Sequence, residues 1–361
     1  MATSFQIQRT SIREHHFVDH GHRDLEPGEV RFGIDFVALT SNNVTYAVAG
    51  DMLDYWGFFP VDLPWGHVPA MGYGTVIESA NGDVAEGSRH FGFFPMADQH
   101  IVLAKGTDAG MFDVGEHRAK HAPAYRQFAD VAKDPSYDAA REAHVALLRG
   151  LFLTSWLAED LLFDNDNFGA EATIVTSASS KTSIAMGWSL QQRGGVSVGL
   201  TSERNREFVE GLGCYTEVVT YDEIGEIDAD RRSVVVDMAG NGKVLADVHN
   251  HFGSGHSGGT LAHSMAIGGS HWESFGEQHE MAGPAPEFFF APAQIEKRNA
   301  DWGSGEPMRR VGEAFAEYVQ FTDSWLEVDH ATGPDAFAGA WDDLVDGNVD
   351  PNVGITRSLT N

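Results

Sequence analysis

The sequence is poor in cysteine and in positive charge, and each shortage excludes a class of protein. Cys214 is the single cysteine among 361 residues, which rules out an intramolecular disulfide and a structural zinc site built from several cysteines. Only 24 Lys and Arg residues face 53 Asp and Glu, giving a net charge of −29. Such a field repels phosphate backbones and anionic membrane surfaces, so we expect neither a nucleic acid nor a membrane as partner.

Long apolar runs are also missing. No stretch approaches about 18 consecutive apolar residues, and the N-terminal segment MATSFQIQRTSIREHHF is charged throughout, unlike a signal peptide. Together with the lone cysteine, this predicts a cytoplasmic protein. The 42% hydrophobic and 11% aromatic residues suffice for large cores, and the length favours two domains.

The N-terminal part has the alternation of an antiparallel β domain. Apolar and polar residues alternate from Glu29, Tyr73, Ser88 and His100, and Gly, Pro, Asn or Asp bounds each run. From about Pro123 the spacing becomes helical, first in AYRQFADVAKD and then in a longer run ending in AEDLLFD. We therefore predict a β-rich module that leads into a long helix.

From Ala172 onward, segments typical of buried strands alternate with segments typical of helices. ATIVTSAS, VSVGLTS, EVVTY and SVVVDMAG have strand character, and SIAMGWSLQQRG and NREFVEGLG have helical spacing. This alternation predicts βαβ units and a parallel sheet. GTLAHSMAIGG, from Gly259, is a candidate for one more strand, and EAFAEYVQFTDSWL is a candidate amphipathic helix.

Histidines are concentrated in the Gly-rich segment around the candidate strand GTLAHSMAIGG. They are His249, His251, His256, His263 and His271. They show neither an HExxH pattern nor a carboxylate at regular ligand spacing, and Gly-rich connections often carry scattered histidines. We favour a structural role over a metal site.

Several blocks, in the right order, resemble the medium-chain dehydrogenase/reductase superfamily. The resemblance is strongest to its zinc-free quinone and enoyl reductase branch, and within it to a large uncharacterised bacterial subgroup. The blocks span residues 25–51, 86–95, 172–213 and 234–241, and DGNVDPNVGITRSL resembles the C-terminal strand that returns to the family's first domain.

This resemblance implies an α/β plus β fold. It places a GroES-like β-rich catalytic domain with a helical extension at 1–150 and an inserted Rossmann-type nucleotide-binding domain at 151–283. A return segment at 284–361 would complete the first domain. The resemblance also implies a small-molecule substrate, and it is consistent with a homodimer.

The zinc ligands of the metal-dependent members are missing. Those members use a Cys after the first block and a His-Glu pair near the second, whereas the corresponding stretches here are LTSNN and VPAMGYG. His67 precedes the second stretch without a Cys or carboxylate partner, so we favour a structural role for it. We expect no catalytic zinc.

The cofactor loop departs from the family pattern. VTSASSKTS, at 175–183, stands where the family has a string like VTGASSGVG, so Ser177, Lys181 and Ser183 replace glycines. Serine hydroxyls can donate to phosphate, and Lys181 at a helix N-terminus adds positive charge. The expected phosphate contacts are Ser177, Ser179, Ser180, Lys181 and Thr182. Loss of dinucleotide binding is the alternative, and a P-loop is disfavoured because its glycines are missing.

The second strand of this module predicts the choice of nucleotide. It ends without an acid directly at the strand end that would accept the ribose hydroxyls of NAD, while Ser202 and Arg204 could hold a 2′-phosphate. We therefore favour NADP(H), with Glu203 as an opposing charge. A helix cap at Ser202 and a surface role for Arg204 are the alternatives. Asp237 ends a later strand, at the sheet edge where ligands bind, and a cap of the next turn explains it equally well.

A zinc-free reductase must stabilise the developing enolate or phenolate with hydrogen-bond donors. In the resembled reductases the turn holding Asn43 and Tyr46 faces the nicotinamide, which makes these residues catalytic candidates, and Tyr73 lies in a segment expected to reach the same cleft. Packing is the alternative for each tyrosine. The candidate substrate contacts are Tyr55, Phe289, Lys297 and Arg298, the last two being either an attraction for an acidic group or solvated cations.

Together these features predict an NADP-dependent, zinc-independent oxidoreductase that reduces a conjugated carbonyl or quinone-like compound by hydride transfer. The alternative is a protein that keeps the fold with lost or altered dinucleotide binding, and that acts in binding, in regulation or in non-redox chemistry.

Overall fold

The chain divides into two compact units. The computed structural model describes residues 2–253, 259–267 and 279–360. Unit 1 comprises Met1–Leu147 and Glu327–Asn361, and unit 2 comprises Leu148–Leu326. Unit 2 is therefore an insertion in the chain of unit 1.

Unit 1 is built mainly of strands. Its strands before the insertion are β1 (Ala2–Gln8), β2 (Ser11–His20), β3 (Glu29–Leu39), β4 (Trp65–Gly66), β5 (Pro69–Ser79), β6 (Arg89–Pro95), β7 (Gln99–Thr107), β8 (Gly110–Asp113) and β9 (Gln127–Asp130). The helices of this stretch are α1 (Ser41–Val48), α2 (Pro123–Arg126) and α3 (Glu142–Asp164), the last continuing into unit 2.

Unit 2 alternates strands and helices. Its strands are β10 (Ala172–Val175), β11 (Ser197–Thr201), β12 (Glu217–Thr220), β13 (Ser233–Asp237), β14 (Leu261–Ala266) and β15 (Glu287–Phe288). Its further helices are α4 (Lys181–Gln192), α5 (Arg206–Leu212), α6 (Gly242–Gly253), α7 (Ala291–Trp302) and α8 (Glu306–Thr322). The chain then returns to unit 1 through β16 (Glu327–Thr332), α9 (Pro334–Asp346) and β17 (Val353–Ser358).

The main sheet of unit 1 has the strand order β16-β17-β3-β5-β6-β9-β8-β7, and β3 also pairs with β7. This additional pairing closes the strands from β3 to β7 into a ring. The C-terminal strand pairs antiparallel with β3, Ile355 lying opposite Leu39, as the sequence predicted. A separate sheet has the order β2-β1-β4.

The sheet of unit 2 is parallel, as the alternation of segments predicted. Its order is β12-β11-β10-β13-β14-β15, so that, numbered within the unit, the strands run third, second, first, fourth, fifth, sixth. This is the strand order of the Rossmann dinucleotide-binding fold. Ile174, Leu200, Val235 and Phe252 belong to its buried core, which explains why the strand segments are nearly continuously apolar.

Two sequence predictions need correction. AYRQFADVAKD does not form one helix, because α2 ends at Arg126 and the next four residues form β9, which pairs with β6 and β8. The return to unit 1 begins at Glu327 and not at residue 284, since α7 and α8 belong to unit 2. The local sequence of a helix near a domain boundary does not indicate against which unit the helix packs.

Within the described residues, no helix combines the length and the apolar character needed to cross a membrane.

Candidate functional site

The turn between β10 and α4 holds a serine in a conformation that favours glycine. Ser177 has φ +52°, in the left-handed region that L-residues with a side chain seldom adopt. Ser180 N–H donates to Ser177 O at 2.7 Å and Ala178 N–H to Leu200 O at 2.8 Å, so the backbone turns sharply beside the next strand. Ser177 thus occupies the turn position at which the resemblance to the reductase family implies a glycine.

The serines that follow are partly used by the helix itself. Ser180 is the N-cap of α4, and its Oγ accepts from Ser183 N–H at 3.2 Å. Ser183 is fully buried and donates from Oγ to Thr176 O at 2.8 Å. The hydroxyl of Ser183 is therefore committed to the protein, and its side chain fills the space that a glycine would leave.

Tyr215 holds this turn from the side, a role that the sequence analysis missed. Its buried hydroxyl lies 2.6 Å from Ser183 O and 3.0 Å from Ala178 O. A side chain on Gly199 would clash with this ring, at 2.9 Å, which explains the glycine within β11. The glycine was a usable sign in the sequence, since an isolated glycine inside a strand often marks a close approach.

The remaining predicted phosphate contacts lie along the same turn. Asn205 Nδ2 donates to Ser179 Oγ at 3.0 Å, which joins the turn to the end of β11. Lys181 is the first residue of α4, is half-buried, and burial lowers its pKa to about 8. Thr182 follows it, and its carbonyl accepts from Ser155 Oγ at 2.7 Å.

The end of β11 carries the predicted nucleotide-selecting residues. Ser202 precedes the 3₁₀ turn Glu203–Asn205 and makes no side-chain capping hydrogen bond there, so the capping alternative fails for its hydroxyl. Arg204 is exposed. Glu203 Oε2 accepts from Arg206 Nε at 3.0 Å, which directs that carboxylate along the following helix.

Asp237 serves the turn at the end of β13. Its Oδ1 accepts from Thr176 Oγ1 at 2.6 Å and from Ala239 N–H at 3.2 Å, and Oδ2 accepts from Gly240 N–H at 3.2 Å. The capping alternative explains this buried carboxylate. It ties β10 to β13 at the carboxyl edge of the sheet.

In unit 1, Asn43 is a structural residue of α1. Its Oδ1 accepts from Thr40 N–H at 2.7 Å to complete a capping box, and its Nδ2 donates to Pro69 O at 2.9 Å. The side chain is buried with both ends of the amide bonded to the protein. The predicted catalytic role is therefore replaced by one that positions α1.

Tyr46, a predicted catalytic residue, and Tyr55, a predicted substrate contact, lie side by side. Their ring centroids lie 4.3 Å apart within an aromatic cluster that includes Phe58, Phe93 and Tyr125. Burial raises the pKa of Tyr46 and of Tyr55 far above the ordinary value, and the hydroxyls of Tyr55 and Tyr125 are hydrogen-bonded to each other. Both tyrosines therefore stay protonated near neutral pH. The Tyr55 hydroxyl donates to Tyr125, so Tyr46 is the candidate hydrogen-bond donor of the pair. The sequence analysis missed Tyr125.

Tyr73 lies apart from this group. It is buried in β5, its ring contacts Phe36 at 5.6 Å and Phe91 at 5.2 Å, and the Arg89 guanidinium lies 5.3 Å from the ring. It is not part of the cluster around Tyr46. The packing alternative applies to Tyr73.

The predicted substrate cations are used inside unit 2. Arg298 is buried and donates to Asp160 Oδ2 at 2.6 Å and pairs with Asp164 Oδ1 at 2.9 Å. Lys297 pairs with Asp164 Oδ2 at 2.7 Å. Both pairs fasten α7 to α3. Arg298 is buried and is therefore not a solvated cation, whereas 48% of the Lys297 side chain is exposed, as the solvated-cation alternative expects. Phe289 is buried, with its N–H donating to Ala266 O at 2.9 Å, and extends the sheet beyond β14.

The histidines considered for metal binding have structural partners where the structure describes them. The ring of His249 bonds Ala282 O and Ser264 Oγ, each at 2.9 Å, His251 Nε2 bonds Ile227 O at 2.7 Å, and His263 stacks on Phe168. His256 and His271 lie outside the described residues. Across the described ranges, three or more His, Cys, Asp or Glu side chains nowhere converge in a way that could hold a metal ion.

Comparison with solved structures defines the class of fold. The chain is similar to CurA from Vibrio vulnificus in complex with NADPH, with a TM-score of 0.64 at 13% identity, over 99% of each chain. It is similar to the CurK enoyl reductase, with a TM-score of 0.57 at 12% identity, over 99% of each chain. It is also similar to a quinone oxidoreductase of Pseudomonas syringae pv. Tomato DC3000, with a TM-score of 0.56 at 13% identity, over 98% of this chain and 99% of that one.

The fold is therefore that of the medium-chain dehydrogenase/reductase class, and the predicted resemblance is confirmed at this level. A comparison with curated protein sequences gives no match. The profile of the family described as protein of unknown function (DUF2855) matches residues 37–350. The chain belongs to that family.

Proposed function

We propose that this protein is an NADP(H)-dependent reductase that works without zinc on a conjugated carbonyl or quinone-like small molecule. The observation that carries the proposal is the turn after β10, where Ser177 adopts a glycine-like conformation and Ser180 caps α4. A sharp turn leading into a helix N-terminus, at the first strand of a sheet with this order, is the arrangement that binds a dinucleotide pyrophosphate. The similar CurA structure is a complex with NADPH.

The bound cofactor would supply a hydride to an electron-poor carbon of the substrate. The chain would hold its phosphates with Lys181 and the N-terminus of α4, and its 2′-phosphate with Ser202 and Arg204. In unit 1 we assign the stabilisation of the developing oxygen anion to the hydroxyl of Tyr46, which remains protonated, with Tyr55 packed against its ring. We propose that the protein acts in the cytoplasm and that it forms a homodimer.

One observation favours a second function. The hydroxyls of Ser180 and Ser183 bond the start of the helix and Thr176 O, so both are committed within the protein. Ser183, which replaces a glycine of the family pattern, therefore offers the phosphates no additional donor. A protein that keeps the turn as a structural element, without a tight dinucleotide site, would act by binding or in non-redox chemistry.

Titration with NADPH, NADH and ADP, followed by thermal unfolding, separates the two functions. A ligand that binds only the native state must stabilise it, so we expect NADPH to raise the unfolding temperature more than NADH. The absence of any shift with all three ligands would reject the reductase.

The Arg204→Ala variant tests the assignment of the 2′-phosphate site. We expect NADPH affinity to fall about tenfold or more, because a charged hydrogen bond is lost, while NADH affinity stays constant. Lys243→Ala, which removes an exposed cation paired with Asp247 in the same unit, is the matched control. If Arg204→Ala leaves the preference unchanged, Arg204 does not select the nucleotide.

A further inference from the structure

The segment from Ser179 to Thr182 is partly open to solvent between two buried residues. Ala178 and Ser183, which flank it, are each 0% exposed, whereas the four residues between them are half-buried. This segment contains the N-cap and the first residues of α4, where the proposed reductase would hold the phosphates of its cofactor. The placement of the phosphate contacts therefore depends on what fixes the two ends of the segment.

One side chain reaches both ends. Tyr215 Oη lies 3.0 Å from Ala178 O and 2.6 Å from Ser183 O. Burial raises the pKa of Tyr215 well above its ordinary value, so the hydroxyl keeps its proton and donates it to these carbonyls. The two carbonyl oxygens are thereby held at one point, and the distance that the four residues between them must span is fixed.

The Tyr215 ring is itself fixed between α4 and β11. A Cβ atom on Gly187 would lie 2.7 Å from the ring, and one on Gly199 would lie 2.9 Å from it, so the ring fills the space that the two glycines leave. The next residue, Thr216, donates its N–H to Ser197 O at 3.0 Å, at the start of β11. The hydroxyl is therefore carried by a ring that cannot move without displacing a helix or a strand.

Other hydrogen bonds hold each end of the segment separately. Ala178 N–H donates to Leu200 O at 2.8 Å, and Ser183 Oγ donates to Thr176 O at 2.8 Å. The first bond attaches the turn to β11, and the second attaches the helix to the end of β10. The Tyr215 hydroxyl differs from both because it joins the two ends to each other.

We propose that Tyr215 is a positioning residue for the pyrophosphate of the dinucleotide. By joining Ala178 O to Ser183 O, its hydroxyl sets the direction in which the backbone N–H groups at the start of α4 and the side chain of Lys181 face the phosphates. Tyr215 is buried behind the segment and acts without touching the cofactor. This inference rests on the proposed function, because it requires the pyrophosphate to lie at the N-terminus of α4.

The Tyr215→Phe variant tests the proposal, since it removes the hydroxyl and keeps the ring between the two glycines. The probe is ADP, which carries the pyrophosphate, and its affinity for the full chain is measured by calorimetry. We expect the affinity to fall about fivefold to tenfold, the loss that corresponds to one hydrogen bond.

Tyr318→Phe is the matched control. Tyr318 is a fully buried tyrosine of unit 2, and its hydroxyl has no hydrogen-bond partner among the residues that the structure describes. Removing this hydroxyl should leave the affinity for ADP unchanged.

Adenosine 2′-phosphate separates a positioning role from a general loss of structure. It carries the 2′-phosphate, for which Ser202 and Arg204 are proposed, and it lacks the pyrophosphate. We expect Tyr215→Phe to leave its affinity unchanged. An equal loss for ADP and adenosine 2′-phosphate would show that the hydroxyl only maintains the fold of unit 2, and it would overturn the proposal. If the parent protein binds ADP but not adenosine 2′-phosphate, adenosine is the comparison ligand without pyrophosphate.

The outcomes also separate this inference from the proposed function. A parent protein that binds neither ADP nor NADPH would reject both. Equal affinity of the parent protein and Tyr215→Phe for ADP would reject the positioning role alone and leave the reductase proposal intact.

Discussion

At the scale of single residues, Lys181 has the most direct consequence for cofactor binding. If the pyrophosphate lies at the N-terminus of α4, its charge-assisted contact is worth roughly 1.5 to 3 kcal/mol, so Lys181→Ala should weaken NADPH about tenfold to a hundredfold. Burial holds the pKa of this lysine at about 8. NADPH affinity should therefore fall as the pH rises through about 8 and the ammonium loses its proton, and the variant should lack this decline. Equilibrium titration from pH 6.5 to 9 measures both effects.

Lys181→Gly is the informative comparison, because it restores the residue of the resembled family. If the turn tolerates closer approach of the phosphates, glycine should recover affinity that alanine does not. Equal NADPH affinity in the parent, Ala and Gly proteins would show that Lys181 makes no phosphate contact.

Residue roles could be predicted where the partner is near in sequence and not where it is distant. The cap at Asp237 was among the predicted alternatives, and its partners Ala239 N–H and Gly240 N–H lie two and three residues along the chain. By contrast, Arg298, a predicted substrate contact, pairs with Asp160, 138 residues earlier in the chain. This ion pair occupies its guanidinium. Nothing near Arg298 in the sequence marks α3 as its partner.

At the scale of elements, the turn between β10 and α4 carries strain that can be relieved. A left-handed residue with a side chain costs roughly 1 to 2 kcal/mol, while glycine adds roughly 0.5 to 1 kcal/mol of chain entropy. Ser177→Gly should therefore raise the free energy of unfolding by about 0.5 to 1 kcal/mol, measured by urea denaturation. Ser179→Gly, at a neighbouring position without positive φ, should lower it and is the control.

The contact between α3 and the end of α4 should make stability depend on pH. Glu159 is buried, and burial raises its pKa to about 7 although Arg193 Nε lies 2.7 Å away and opposes the shift. The folded state thus holds a proton that the unfolded state releases near pH 4.5. Stability contributed by this group is complete below about pH 4.5 and is lost as the pH rises through about 7.

Glu159→Gln should flatten that decline. Urea denaturation at half-unit intervals from pH 5 to 8 measures it, and Glu210→Gln, at an exposed position of α5, is the control. An unchanged slope in Glu159→Gln would mean that this carboxyl does not titrate in the range.

Strands were more predictable than the short elements between them. β3 begins at Glu29 and ends at Leu39, as the pattern EVRFGIDFVAL predicts, and residues 30–32 and 37–39 near its two ends are buried. AYRQFADVAKD was predicted wrongly, since its apolar residues are too few to distinguish one helical turn followed by a short strand from a helix. Sheet pairing with β6 and β8 determined the outcome.

At the scale of the whole molecule, we predict that the purified protein contains no stoichiometric zinc. The stretches LTSNN and VPAMGYG lack the ligands of the zinc-dependent members, and Cys214 is the single cysteine and is buried. Elemental analysis after removal of loosely bound metal checks this. About one tightly held zinc per chain would contradict it.

The general architecture was predictable because two different periodicities occupy different parts of the chain. Period-two alternation marks the strands of unit 1, and alternating strands and helices mark the sheet of unit 2. The domain boundary at Glu327 was not predictable, because α7 and α8 are amphipathic in the same way as a helix of either unit. Burial of charged residues such as Arg118 also depends on contacts that local patterns do not encode.

The pairing of β17 with β3 has a consequence for synthesis on the ribosome. The main sheet of unit 1 receives its β16 and β17 edge only after Glu327–Ser358 has emerged, whereas every strand of unit 2 has left the ribosome by then. Unit 2, which starts later in the chain, can therefore fold before unit 1 is complete. Until β17 has been synthesised, unit 2 is complete while unit 1 still lacks its C-terminal segment. The edge of β3 that pairs with β17 stays unpaired until then.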